Sequence, residues 1–499
     1  MDEQRQQRVQ PVGFSRRQLA FGLAATVILA PRGKVRAEEV SEPDWEVLPH
    51  EGRPASAPPP AIAPATGPGA LAAAPGTLRL KPPPAPETEV WCYGGAVPGP
   101  TLRAKQGGSL RLAFANKLAQ PTTLHWHGVH LPNAMDGVGG LTQTAVAPGA
   151  VFDIAFPTPD AGTFWYRPLV PALAAEQTER GLYGLFIVDE ATPPPFDHDV
   201  GLVLDDWALD PADQVRTSFG DAAEVGLGGR LGNWLTVNSK EPPQRLEVAP
   251  GARLRLRALN AANARPLTLR FEDLRVHVIA VDGRPSEVFQ PARGAISLMP
   301  GTRLDLAVEA PGEPGRSGAV LVALGPGVPA LVLTTTGAPS PLAGAPLSPL
   351  PRSRLPEAIA LQAAARAELI IEGGLDPAAL QSGAGPSLPD AARAWTVNKV
   401  AWPDAPKKPV LSVKAGRPVA LALVNRTPFV QAMHVHGHHV RLLHNFDDGW
   451  EPYWLDTIPI PPRATARIAF VAETPGHWMI GSTILERLSG GLACWFEVT

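Results

Sequence analysis

Two short stretches hold the residues best suited to chemistry: "LHWHG", with His125 and His127, and "MHVHG", with His434 and His436. Residues two apart on a strand leave the same face, so each pair aims two imidazoles in one direction. Imidazole nitrogens are good donors for copper and zinc, and two such pairs drawn together would hold one Cu or Zn ion. A lone histidine is usually a hydrogen-bonded core residue, but two identically spaced pairs are poorly explained that way. Only two cysteines are present, Cys92 and Cys494, and neither has a histidine beside it. A redox copper built on a thiolate therefore lacks a local ligand set at either position. The two read as buried free thiols, with a single bridge between them as the alternative.

The elements that must carry these histidines recur along the chain. "SLRLAFAN" (109–116), "RLRLRALN" (253–260) and "PVALALVN" (418–425) each follow a glycine turn, alternate in character and end in Asn. Period-two alternation after a turn describes a half-buried strand, and three copies describe three homologous β-domains. His125 and His127 stand nine and eleven residues beyond Asn116, and His434 and His436 stand nine and eleven beyond Asn425. Beyond Asn260 the same offsets give Leu269 and Phe271, ordinary core residues. A second slot recurs five and seven residues after Gly162 and Gly476, where Arg167 and Leu169, then Gly481 and Thr483, are found. None of these four can stand in for an imidazole donor.

The chain has 499 residues, 44% of them hydrophobic, with 58 Pro and 48 Gly, 6% aromatics and a formal charge of −3. Such a composition fits an all-β protein of about three domains and gives no electrostatic footprint for nucleic acid. "FSRRQLAFGLAATVILA" sets Arg16-Arg17 before an apolar run too short to span a bilayer, as in a twin-arginine export signal, with Val35-Arg36-Ala37 as the cleavage site. The expected organisation is a signal over 1–37, a Pro/Ala-rich disordered tether over 38–77, domains over 78–192, 193–338 and 366–499, and a Pro-rich linker over 339–365. The mature protein is expected to be a periplasmic monomer with no transmembrane segment.

The motifs "VPGPTLR", "HWHGVHLPNAMDGVGGLTQ", "GTFWYR", "RGLYGLFIVDE", "LGNWLTVNSK", "VDGRP", "MHVHGHH", "LDTIPIPP" and "ETPGHW" make the chain resemble a three-domain multicopper oxidase over nearly all its mature length. The resemblance implies three consecutive cupredoxin-like Greek-key β-sandwiches. It also implies a type 1 copper in the last domain and a three-copper cluster between the first and last. By that pattern the type 1 ligand positions hold Gln431, Ser482, Arg487 and Leu492, none of which fits. Arg167, Leu169, Gly481 and Thr483 occupy four of the eight cluster positions, and His125, His127, His434 and His436 the other four. Asp136 matches the acid beside the type 2 copper, and Leu488 replaces a second proton-relay acid.

Electrons enter such oxidases through the type 1 thiolate, so the resemblance implies a protein without four-electron oxidase activity and without a catalytic residue. The expected function is a periplasmic scaffold or stabiliser of envelope and cell-division proteins, similar to the SufI-type cell-division proteins. The alternative is a copper or zinc binding protein, or a mononuclear-copper oxidoreductase, using the four histidines with Asp136 behind them. His130, His277, His438, His439, His444 and His477 read as surface or structural residues, with a spare-donor role for His438 and His439, which follow the second pair closely, as the alternative.

Overall fold

A computed structural model describes residues 69–375, 390–402, 408–443 and 449–499. The export signal, most of the tether and His444 lie outside the described residues. Strands dominate, paired into two sheets per domain. The first domain sets Thr88–Tyr93, Gly69–Leu78, Gly108–Asn116 and Val151–Thr158 against Gly99–Lys105, Gly184–Asp189, Gly162–Arg167 and His125–His127. The middle and last domains each pack a six-stranded sheet on a five-stranded one.

The three Asn-terminated strands occupy one place in this plan. Each lies between a parallel and an antiparallel neighbour: Gly69–Leu78 and Val151–Thr158, His198–Trp207 and Arg303–Glu309, Ala365–Gly373 and Thr465–Ala472. The terminal asparagine explains why the offsets to the histidines repeat. Asn116 accepts the Leu118 amide at 2.9 Å and donates to the carbonyls of Gln120 and Val146. Asn260 accepts from Ala262 and donates to Arg265 and Leu298; Asn425 accepts from Thr427 and donates to Phe429 and Ile460. The buried amide thus shapes one turn and ties it to a second strand, fixing where the chain re-enters the sandwich.

One boundary is corrected. The tether expected to run to residue 77 gives way by Gly69 to the first strand of the domain, with Leu71 and Ala73 buried. Its run of alanines carries no polar alternation, so composition concealed it. The 339–365 linker lies along the middle domain: Ser340 bonds Asp197, Leu350 packs with Ile279, Ala280 and Ala307, and Arg354 reaches Asp160 of the first domain. Arg253, Arg255 and Arg257 alternate on one strand, and Arg255 pairs with both Asp305 at 2.9 Å and Glu190 of the first domain at 2.8 Å. Asn263 of the middle domain donates to the Ala175 carbonyl and to Glu486, joining the short helices Ala174–Glu179 and Leu485–Ser489 of the outer domains.

Candidate functional site

His125–His127 pairs with Gly162–Arg167, and Gln431–Val435 pairs with Thr457–Ile460 and Gly476–Ser482. The two histidine-bearing strands face each other across the outer domains. The His125 and His436 rings lie 4.4 Å apart and those of His127 and His434 stack at 3.7 Å with 20° between planes. Donor atoms of His125, His127 and His434 all fall within 4.8 Å of one another, as do those of His125, Asp136 and His436. All four rings are buried.

Two aspartates orient them by a reciprocal arrangement. Asp136, in the first domain, accepts His125 Nδ1–H on its backbone carbonyl at 2.7 Å and His436 Nδ1–H of the last domain on its carboxylate at 2.9 Å. Asp456, in the last domain, accepts His434 Nδ1–H on its carbonyl at 2.8 Å, and its carboxylate lies 3.3 Å from His127 Nε2 of the first domain. Each acid therefore holds the first histidine of its own domain through the backbone and the second histidine of the other domain through the side chain. Gly137, at φ +82°, allows the turn after Asp136 to close on His125, because a Cβ there would lie 2.2 Å from the Leu124 carbonyl oxygen.

In His125, His434 and His436 the Nδ1 proton is held by an acceptor, which leaves the lone pair on Nε2. Among the described residues, His125 Nε2, His127 Nδ1 and His434 Nε2 have no hydrogen-bond partner. Burial, and then the neighbouring His436, pulls the His125 pKa down to about 4. Burial also holds His127 and His434 well below the ordinary imidazole value, and Asp456 only partly offsets this for His127. Neutral rings with free lone pairs are the form that binds metal. Burial works against the charge on Asp136, but His436 and His125 outweigh it and keep the carboxyl well below its usual range. These residues fit a single Cu(II) or Zn(II) ion with imidazole ligands.

The other sequence positions offer no donors toward this point. Arg167 is buried, bonds the Pro168 carbonyl at 3.3 Å and lies over the Trp165 ring; no hydrogen bond joins it to the four rings or to Asp136 among the described residues. Leu169 and Leu488 belong to an apolar cluster with Val138, Met479 and Leu485, and a Cβ on Gly481 would meet Met479 and Leu488. Thr483 is buried, and among the described residues its hydroxyl has no hydrogen-bond partner. At the positions equated with the type 1 ligands, Arg487 donates to Gln431 Oε1 at 2.8 Å and to the carbonyls of Val430 and Leu227, beneath Trp395 and Phe429. Ser482 bonds the Ile484 carbonyl, and Leu492 is in the core. Gln431, Ser482, Arg487 and Leu492 offer neither a thiolate nor an imidazole, so these residues do not fit a type 1 ion.

The remaining histidines point elsewhere. His438 donates to the His436 carbonyl and packs against Phe470, Trp478 and Phe496; His439 meets Arg284 and the Asp282 carbonyl. His130 bonds Thr474, His277 bonds Gln290, and His477 lies near Glu497. Sequence reasoning missed Asp456, together with Arg303 and Asp282, which hold it in place. The motifs "LDTIPIPP" and "VDGRP" contain Asp456 and Asp282 without indicating a role, and Arg303 lies in neither.

Residues 77–193, 199–317 and 382–499 each match a family model described as multicopper oxidase. A crystal structure of a multi-copper oxidase from Pseudomonas thermotolerans is 32% identical, with a TM-score of 0.76 over 86% of this chain and 98% of that one. The chain belongs to the multicopper oxidase family. Multicopper oxidase MmcO of Mycobacterium tuberculosis is 28% identical over 445 residues, 81% of this chain and 83% of that protein. Cell division protein FtsP of Escherichia coli K12 is 31% identical over 235 residues, 45% of this chain and 48% of its own length. No helix among the described residues is long and apolar enough to cross a membrane.

Proposed function

We propose that this family member is an exported, periplasmic scaffold or stabiliser of envelope and cell-division proteins, and not a four-electron oxidase. The observation that carries the reading is Arg487, whose guanidinium bonds Gln431 where copper ligands would stand, while Ser482 supplies a hydroxyl in place of a thiolate. A fixed cation there opposes a copper ion, and none of Gln431, Ser482, Arg487 and Leu492 carries a sulfur ligand to offset it. The likeness to FtsP supports a cell-division role. The test is dioxygen uptake by copper-loaded protein with phenolic and cuprous substrates, combined with co-purification of defined division proteins. Chelator-sensitive oxygen consumption would defeat the reading, and so would failure to retain any division protein. Replacing Arg16-Arg17 by a Lys pair should leave the protein unexported.

A second reading is favoured by the three buried ring nitrogens without partners. Here the quartet binds one copper or zinc ion, with Asp136 and Asp456 behind the ligands. Metal analysis of exported protein after growth with copper separates the two readings, and a His125, His127, His434 and His436→Ala variant separates capture from metal.

A further inference from the structure

We infer that Asp456 is the positioning residue of the quartet, and that the middle domain holds it in place: Arg303 clamps its carboxylate so that His127 is fixed as the Nε2–H tautomer with its Nδ1 lone pair facing the other rings. This deepens the metal-binding reading and rests on it for the identity of the ligand, though not for the tautomer.

The donor count leads to this assignment. Thr457 Oγ1 lies 3.0 Å from Asp456 Oδ1, and an ionised carboxylate can only accept, so the Thr457 proton points to Asp456. The Thr457 oxygen, 3.1 Å from His127 Nε2, must then accept, and Asp456 Oδ1 at 3.3 Å is a second acceptor on the same side. The proton of the neutral ring therefore sits on Nε2. His127 Nδ1 is left unpartnered, unlike His125 and His434, whose free nitrogen is Nε2. The two stacked rings thus present different nitrogens, and both are set by Asp456, one through its carboxylate and one through its carbonyl.

Asp456 is held from the middle domain. Arg303 donates to both carboxylate oxygens, 2.8 Å to Oδ1, and its Nη1 is also bonded to the Gly301 carbonyl. Asp282 accepts the backbone amides of Asp456 and Thr457 at 3.0 Å each and that of Arg303 at 3.1 Å. The clamp passes directly over the first histidine pair: a Cβ on Gly128, the residue after His127, would fall 2.2 Å from Asp456 Oδ2 and 2.3 Å from Arg303 Nη2. The domain that has Leu269 and Phe271 where the others have histidines thereby takes part in the site. An outer acid orienting a ligating imidazole typically changes metal affinity 10–100-fold, about the effect expected here.

The experiment reads the metal-free protein first. With ¹⁵N-labelled histidine, the imidazole nitrogen shifts and the couplings within each ring show which nitrogen bears hydrogen. Wild-type His127 is expected to be protonated on Nε2, and protonation on Nδ1 overturns the proposal whether or not any variant folds. In Asp456→Asn, His127 is expected to populate both tautomers while His436, held by Asp136, keeps its own; an unchanged His127 overturns the proposal. Zn(II) titration then follows, with affinity expected to fall about 10–100-fold in Asp456→Asn. Wild-type protein that shows the tautomer but binds no Zn(II) refutes the metal-binding reading and leaves the positioning role standing. Equal Zn(II) affinity in wild type and variant counts against that role.

Discussion

Nη1 of Arg487 lies 2.8 Å from Oε1 of Gln431, and the same guanidinium reaches the Leu227 carbonyl, so one buried side chain joins the last domain to the middle one. Truncation leaves three acceptors and a cavity between Trp395 and Phe429. Arg487→Ala should lower stability by about 3 kcal/mol in denaturant titration. Arg487→Met, which removes the buried charge but keeps most of the volume, should cost less. An alanine variant as stable as wild type would show that the clasp contributes nothing.

Ser482→Cys should not create a blue copper site. The new thiol would sit where Ser482 now bonds the Ile484 carbonyl, with Gln431 and Arg487 still bonded to each other and Leu492 in the core. Copper-loaded variant protein should show no intense thiolate-to-copper absorption and no dioxygen uptake. Either signal would mean that the local ligand geometry had survived.

On the metal-binding reading, zinc should stabilise wild-type protein against heat or denaturant, because the folded state alone assembles the four rings. At a free concentration 100-fold above Kd the gain is about 2.7 kcal/mol. His127→Ala combined with His434→Ala removes the stacked pair and should abolish that gain. A zinc-induced shift that persists in the double variant would place the ion elsewhere.

Acid should destabilise the metal-free protein earlier than carboxylate titration alone would. His125 has a folded pKa of about 4, below that of an exposed imidazole, so the unfolded chain takes up a proton the folded protein refuses. Its contribution is present above about pH 6.5 and is lost as pH falls toward 4, amounting to about 3 kcal/mol for this ring. His127 and His434 act in the same direction. The check is the denaturation midpoint against pH for wild type and His125→Asn, with the slope between 6.5 and 4 smaller in the variant.

Arg255→Ala should uncouple the first and middle domains. It strands the buried Glu190 and leaves the buried Asp305 with Arg257 alone, at 3.3 Å. Loss of a partner from a buried pair costs about 3–5 kcal/mol, read as a lower or divided unfolding transition. A single transition at the wild-type position would mean that the seam is held by other contacts.

Local pattern made much of this legible. The Asn-ended strands, the paired histidines and the three-sandwich plan follow from spacing, because the asparagine fixes a turn and the turn fixes the next strand. The first strand was hidden because Gly69–Leu78 is mostly alanine and glycine and its place is set by pairing with residues 112–116. Asp456 was hidden for another reason: it acts on His127, more than three hundred residues away, and an isolated Asp-Thr gives no sign of that. The direction of Arg167 could not be read from its place in the pattern: it bonds the Pro168 carbonyl and lies over Trp165, while its charge still works against protonation of His125.

The exchange of acids between Asp136 and Asp456 also has a consequence in time. The contacts His436–Asp136 and His127–Thr457 span 300 and 330 residues. A ribosome making the chain releases the first domain well before the last exists, so His127 waits for its acid and Asp136 for its distant imidazole. The quartet is then born only when the C-terminal third docks. Any ion it takes up must arrive after synthesis is complete, and no early fragment carries a finished half of the site.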